Sequence, residues 1–332
     1  MKKILALVLV GLMIVSLCSC GKKEEETNNT ASDTVNQNTI SLVNASFDTT
    51  GETLSDAEAL GVKVNFRRNS VIGEESQSMY LGLRYDRIGT GEGKKFLYEH
   101  EVKSGDTSDS VIMYSDGKNI YGYKADTSYL LVNDNITNDY INEIEKDIEV
   151  FDSSDFEVLD TVIIDTSSGG HAFVIKYKPD DSDFDPKEVF GPLFAEGEAE
   201  VEIKPVSLSV SGIIDTEGRL LEQAVTFEYT YEYEDMSNVD PENVDAKGEM
   251  KTVAVKLVTE AKFNHDLTSI SAPDGLTLLP EDEESEGEDE DKPEIKELSL
   301  SDFLKLGQQS GENTGNTDNK TDKNNKTDNK KK

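Results

Sequence analysis

Apolar and polar residues alternate with a period of two along most of the chain between residues 60 and 265. The longest run, 206–234, reads VSLSVSGIIDTEGRLLEQAVTFEYTYEYE. Two alternating segments flank Asp215-Thr216-Glu217-Gly218, where Gly218 can take the positive φ of a tight turn. In the second segment Val225, Phe227, Tyr229, Tyr231 and Tyr233 share one face; Thr226, Glu228, Thr230 and Glu232 share the other. This predicts an antiparallel strand with one buried and one wet face. The same pattern recurs in Val62, Val64 and Phe66, in Met79 to Tyr85, in Phe96 to Val102 and in Val253 to Phe263. Further hairpins are expected around Ser115-Asp116-Gly117-Lys118 and around Gly169-Gly170.

Two stretches depart from that period. Tyr140, Ile141, Ile144, Ile148 and Phe151 recur at helical spacing after a capping cluster at Asn135 to Asp139, which predicts a helix. A second helix is expected from Asp185-Pro186, with proline at its first position, ending by Gly197 and burying Val189, Phe190, Leu193 and Phe194. Residues 40–60 carry a weaker pattern; a short helix over 54–60, stopped by Gly61, is the expectation there.

The composition narrows the classes. The 332 residues carry a formal net charge of −35, with no Trp and 35% hydrophobic residues. A charge of that sign opposes phosphate backbones, so nucleic-acid binding is not expected. It also opposes lying flat on an anionic membrane, so membrane attachment has to be covalent.

The N-terminus offers such an attachment. Lys2 and Lys3 precede an apolar run from Ile4 to Val15 that is short for a membrane-spanning helix. Leu17-Cys18-Ser19-Cys20-Gly21 then resembles the lipobox of bacterial lipoproteins. The resemblance implies a signal peptide over 1–19 and acyl chains on Cys20. After cleavage no second cysteine remains, so neither a disulfide nor thiol catalysis is expected in the exported part. Residues 20–39 hold almost no apolar side chain and read as a disordered tether.

Three further motifs in this order, DGKNIY at 116–121, DTEGRL at 215–220 and ISAP at 270–273, resemble the LolA/LppX-like surface lipoproteins over roughly residues 60–280. The resemblance implies a mainly β fold of the α+β kind. A curved, incomplete antiparallel β-barrel over 40–280 would have two or three helices plugging its concave face. It also implies an acyl or lipid ligand between sheet and helices. The residues placed to line such a cavity are Phe227, Tyr229, Tyr231, Tyr233, Ile144, Ile148, Phe190 and Phe194. An aromatic stripe at strand spacing is equally what a filled core looks like, so both readings stand at this point.

No catalytic or cofactor motif is present. His100, His171 and His265 are scattered and match no metal-ligand spacing. Gly89-Thr90-Gly91-Glu92-Gly93 lacks the pattern of a phosphate loop and reads as a hairpin tip. Asp181, Asp183 and Asp185 begin like a calcium loop, but Pro186 and Pro192 stand where its glycine and last carboxylate belong. An enzyme is therefore not expected.

Residues 281–332 read as an acidic and then low-complexity disordered tail. It is interrupted at 294–306 by a segment whose Leu298, Leu300, Phe303, Leu304 and Leu306 could dock on the domain or on an envelope partner. The sequence thus supports two functions: a lipid-anchored extracytoplasmic carrier of a hydrophobic ligand, or a ligand-free scaffold for an envelope protein.

Overall fold

A computed structural model describes residues 36–279 and 295–308, apart from 92, 106, 133, 147, 149, 181–183, 191–192, 194–201 and 236–247. Cys20, Phe194, Asp181, Asp183 and most of the predicted tether and tail lie outside the described residues.

Twelve strands form one sheet. In chain order they are β1 (Ala59–Ile72), β2 (Glu75–Ile88), β3 (Lys95–Ser104), β4 (Thr107–Ser115), β5 (Ile120–Lys124) and β6 (Thr127–Leu131), then β7 (Val158–Asp165), β8 (His171–Tyr177), β9 (Lys204–Ile214), β10 (Leu220–Asp235), β11 (Glu249–Asn264) and β12 (Lys296–Leu298). Their spatial order is β12-β6-β5-β4-β3-β2-β1-β11-β10-β9-β8-β7. Every pairing is antiparallel except that of β12 with β6. β7 and β12 end the sheet without pairing to each other, so the curved sheet stays open. The predicted turns fall where expected: Gly117, Gly169 and Gly218 all have positive φ between adjoining strands.

Register carries one apolar face across the sheet. Val62 on β1 stands opposite Tyr85 on β2 and Phe263 on β11. From there the row continues through Tyr98 on β3 to Met113 on β4. In the other direction Thr259, Val225, Val210 and Ile175 stand side by side on β11, β10, β9 and β8. The helices pack on this same inner face. α1 (Gln37–Asp56) buries Val43, Phe47 and Leu54 there, and α2 (Asn135–Lys146) buries Ile141. α3 (Pro186–Phe190) buries Phe190, and α4 (Leu300–Gln308) buries Leu300 and Phe303. This is the mainly β, incomplete barrel with helices against its inner face that the resemblance implies. The outer face has a smaller core, in which Leu97, Tyr114 and Tyr121 lie under Ile270, Leu276, Leu278 and Ile295.

Four elements refine or correct the expectation. The first helix is twenty residues long and begins at Gln37, where the Asn36 side chain accepts from the N–H groups of Asn38 and Thr39. Gly61 lies inside β1 and stops no helix. The buried stripe of α1 contains Thr39, Ser46 and Thr50 among its apolar members, which hid its period. α2 ends at Lys146, so Ile148 and Phe151 continue its apolar pattern in irregular chain. Its cap is Asp134, one residue before the expected cluster, whose carboxylate accepts from Thr137 N at 2.9 Å.

In the third case, Pro186 opens α3 as expected, and within the described residues the helix runs to Phe190. In the fourth, residues 295–308 belong to the fold. β12 extends the sheet beside β6, and the Phe303 ring is fully buried, 5.9 Å from that of Tyr129. The apolar side of this segment is therefore occupied within its own domain.

Candidate functional site

Between α2 and the middle of the sheet lies a cavity of about 700 Å³. Its floor is aliphatic and aromatic: Val62, Val64 and Phe66 from β1, Leu83 and Tyr85 from β2, and Val225, Ala261 and Phe263 from β10 and β11. Ile144 of α2, then Ile148, Val150, Phe151 and Phe156, cover it. Arg84, Asp152, Ser154, Asp155, Asp185 and Gln223 add polar groups to the lining, and Thr259 lies along it with its Oγ1 buried and without a hydrogen-bond partner. Volumes of several hundred Å³ with few polar groups are typical of small-molecule pockets.

The covering segment is held at defined points. Gln223, 3% exposed on β10, accepts from Phe151 N at 3.1 Å and donates to Phe151 O at 2.8 Å. That pair reproduces with a side chain what a neighbouring strand would supply, so irregular backbone can lie over the sheet. Phe184 packs edge to face on Phe151 and Phe156, whose rings are tilted against each other, and the Phe184 ring is 5.0 Å from Phe227. Ser153 and Tyr177 share a buried hydrogen bond of 2.7 Å. Burial pushes the Tyr177 phenol up to about 12, although the Ser153 hydrogen bond works the other way. Burial likewise raises the Tyr98 phenol at the cavity, with Tyr140 adding to the effect. Both are neutral hydroxyls at any physiological pH. Burial also lowers the His100 imidazole, with Lys124 adding to the effect and Asp109 opposing it.

A second cavity, of about 830 Å³, lies on the other side of the same covering segment. Phe47, Leu54 and Leu60 make its apolar wall, and Asp48, Arg87, Asn142 and Glu145 its polar one. Ile148, Val150 and Asp152 line both cavities. Glu145 gathers groups from several elements here. It accepts from the Tyr85 hydroxyl, and its Oε1 lies 2.8 Å from Lys94 Nζ and 3.7 Å from Arg87 Nε. Lys94 also reaches Asn142 Oδ1 at 3.3 Å. Arg87 donates to Ala57 O, just past α1, at 2.7 Å, while its Nε has no hydrogen-bond partner. Burial, then Glu145, raise the Tyr85 phenol far above its ordinary range. Lys94 follows Gly93, whose φ is +86°, so the glycine-rich tip serves to deliver this lysine.

The residues singled out from sequence fall into three groups. Ile144 and Ile148 line the first cavity. Phe190, Phe227 and Tyr229 are at most 1% exposed and stack in a filled core beside it, with ring centroids 6.3 Å and 5.4 Å apart along the row. Tyr231 and Tyr233 lie half-buried further along β10 against that core. Phe194 lies outside the described residues. The floor of Val62, Val64, Val225 and Ala261 was not singled out. Its residues alternate like any core strand, and only the cross-strand register brings them under one roof.

Among the described residues no helix is long and apolar enough to cross a membrane. They also hold no group of three acidic, histidine or cysteine side chains placed to hold a metal ion.

No family model and no curated protein matches the chain. Among solved structures it is similar to LprF from Mycobacterium bovis, at 11% identity over 73% of this chain and 98% of that one, with a TM-score of 0.31. It is also similar to a DUF1329 family protein from Desulfovibrio piger, at 8% identity over 70% of this chain and 94% of that one, with a TM-score of 0.20. An outer membrane lipoprotein-sorting protein domain from Vibrio parahaemolyticus shares 10% identity over 68% of this chain and 93% of that one, with a TM-score of 0.20. At such identities and scores the fold is read from this chain's own sheet order.

Proposed function

We propose that this chain is an extracytoplasmic lipoprotein, anchored through acyl chains on Cys20, that holds a hydrophobic ligand between its open sheet and α2. The single observation behind this reading is the cavity of about 700 Å³, roofed by a segment pinned through Gln223 and floored by Val62, Val64, Val225, Ala261 and Phe263. An acyl or similar chain would contact the aliphatic and aromatic side chains that line that space. In this reading the protein binds and carries, and performs no chemistry on its ligand. The cavity's polar points are the hydroxyls of Tyr85 and Tyr98, Gln223, Ser154, and the charged Arg84, Asp152, Asp155 and Asp185 on its lining.

The reading is tested by uptake. The chain from Lys22 to Lys332, which contains every described residue, is mixed with diphenylhexatriene, a neutral probe that fluoresces only out of water. Saturable uptake near one equivalent, displaced by added fatty acid, is the expected result. Absence of uptake by folded, ligand-stripped protein would contradict the reading.

A further inference from the structure

The open end of the sheet carries an apolar surface. β7 is its last strand and pairs only with β8. On it Leu159, Val162 and Ile164 are 53%, 46% and 51% exposed. Single exposed apolar residues are ordinary, but these have apolar neighbours. Val162 stands opposite Val174 on β8, and Ile164, Ala172 and Ile213 form a row across β7, β8 and β9. The row lies on the outer face, because Thr161 and Ile163, which alternate with it, stand opposite the core residues Ile175 and Phe173. Natural edge strands are usually blunted by charge or covered, since their free N–H and C=O groups invite pairing. Contiguous exposed apolar surface marks an interaction site.

Two observations say what meets it. The sequence that follows Cys20 joins the domain here: Asn36 N, just before α1, donates to Thr161 Oγ1 on β7 at 3.4 Å. Sixteen chain steps lead from Cys20 to Asn36, a reach of at most about 55 Å. An anchored Cys20 therefore holds this edge within that distance of the bilayer. The second observation is charge. Glu157 and Asp160 lie 3.4 Å and 3.3 Å from Lys178 and Lys176, and Asp165 lies 3.0 Å from His171. On a chain of net charge −35, the carboxylates of this edge are each matched by a basic side chain of the neighbouring strand or the residue after it. Zwitterionic head groups meet little net charge here. The apolar side chains then reach the acyl boundary while the edge backbone stays among hydrated head groups.

Resting on the Cys20 anchor proposed above, we infer that the β7 edge, with Val162, Ile164, Val174 and Ile213, docks on the zwitterionic surface of the bilayer that holds the anchor. The lipid on Cys20 supplies the attachment, and this surface sets which side of the domain faces the membrane.

The test replaces the anchor by a chelated tag. The chain from Lys22 to Lys332 holds no cysteine, so one label can be placed at will. Ser211→Cys, opposite Val174 on the outer face, and Thr127→Cys, exposed on β6, each carry nitrobenzoxadiazole. An N-terminal histidine tag holds each protein on phosphatidylcholine vesicles that contain a nickel-chelating lipid, with and without doxyl-labelled phosphatidylcholine. The label at 211 should lose fluorescence to the doxyl chains, and the label at 127 should keep it. Val162→Ser/Ile164→Ser, altered only at exposed positions, should abolish the loss at 211 while the protein stays folded by its thermal midpoint. Equal quenching at both positions, quenching at neither, or quenching that survives the serine substitutions overturns the docking. A dimer of the untethered chain in sedimentation, lost in the serine variant, gives the face to a second copy and overturns it too. The anchor is read separately, from the mass of the Cys20 peptide of protein purified from its host. An unmodified Cys20 overturns the anchor reading and the docking that rests on it. An acylated Cys20 with an unquenched label at 211 overturns the docking alone.

Discussion

The ring of Phe303 lies directly over Gly122: a Cβ at that glycine would come within 2.6 Å of it. Gly122 is on β5 and Phe303 on α4, so the C-terminal segment seats only where the sheet lacks a side chain. Gly122→Ala should lift α4, and Phe303→Ala should leave a hole in the same place. The second change is expected to cost about 3 kcal/mol, the usual scale for emptying a buried phenylalanine site. Urea unfolding of the two variants checks this. Hydrogen exchange should show β12 and α4 losing protection first in Gly122→Ala.

Glu145 pins α2 to the sheet through the Tyr85 hydroxyl and Lys94. Glu145→Gln removes the charge that both partners face. A loss of about 1–3 kcal/mol is expected, the range for a buried hydrogen bond to a charged group. Exchange of α2 amides should quicken more than exchange in β9 or β10. An unchanged α2 would mean that Ile141 alone fixes the helix.

Filling the cavity separates binding from folding. Ala261 lies on its floor and is 8% exposed. Ala261→Phe has empty volume to enter, so the thermal midpoint should hold or rise, whereas overpacking a filled core lowers it. Uptake of diphenylhexatriene should fall by about tenfold or more as the ligand space is lost. Unchanged uptake by the folded variant would place the ligand elsewhere.

Acid should weaken the β9–β10 hairpin through its turn. Burial disfavours the charged form of Asp215, but the N–H groups of Arg219 and Glu217 and the Arg219 guanidinium outweigh it and hold the carboxyl below its ordinary 3.8. Asp116 in the β4–β5 turn is similar: burial opposes its charge, and the N–H groups of Asn119 and Lys118 and the Tyr121 hydroxyl prevail. A carboxyl with a lower pKa in the folded state stabilises above its unfolded value, and that contribution is lost as pH falls through the folded one. Thermal midpoints measured downward from about pH 5 should therefore drop below about pH 4. The drop should be shallower in Asp215→Asn, which is already less stable at neutral pH.

The strands were legible because period-two alternation and positive-φ glycines are local signals. Gly117, Gly169 and Gly218 mark three hairpins outright. The β5–β6 turn uses Ala125 and Asp126, both at positive φ, and so carries no glycine to mark it. α1 was obscured because Thr50 faces inward and its hydroxyl accepts from Leu220 N at 2.7 Å, a contact across 170 positions. The cavity was less legible than the fold. The aromatic stripe on β10 drew attention, yet Phe227 and Tyr229 are filled core, and the space opens over smaller residues beside them. Arg87, Lys94 and Glu145 have no common sequence signature: Lys94 and Glu145 are 51 positions apart. Only the return of α2 over the sheet brings them together.

The central claim, a ligand held between sheet and helices, is tested most directly by native mass spectrometry of the protein purified from its own host and cleaved within residues 20–39. The account predicts one reproducible added mass that organic solvent strips away and that is absent from Ala261→Phe. A clean apoprotein mass that takes up no added fatty acid or phospholipid would contradict it.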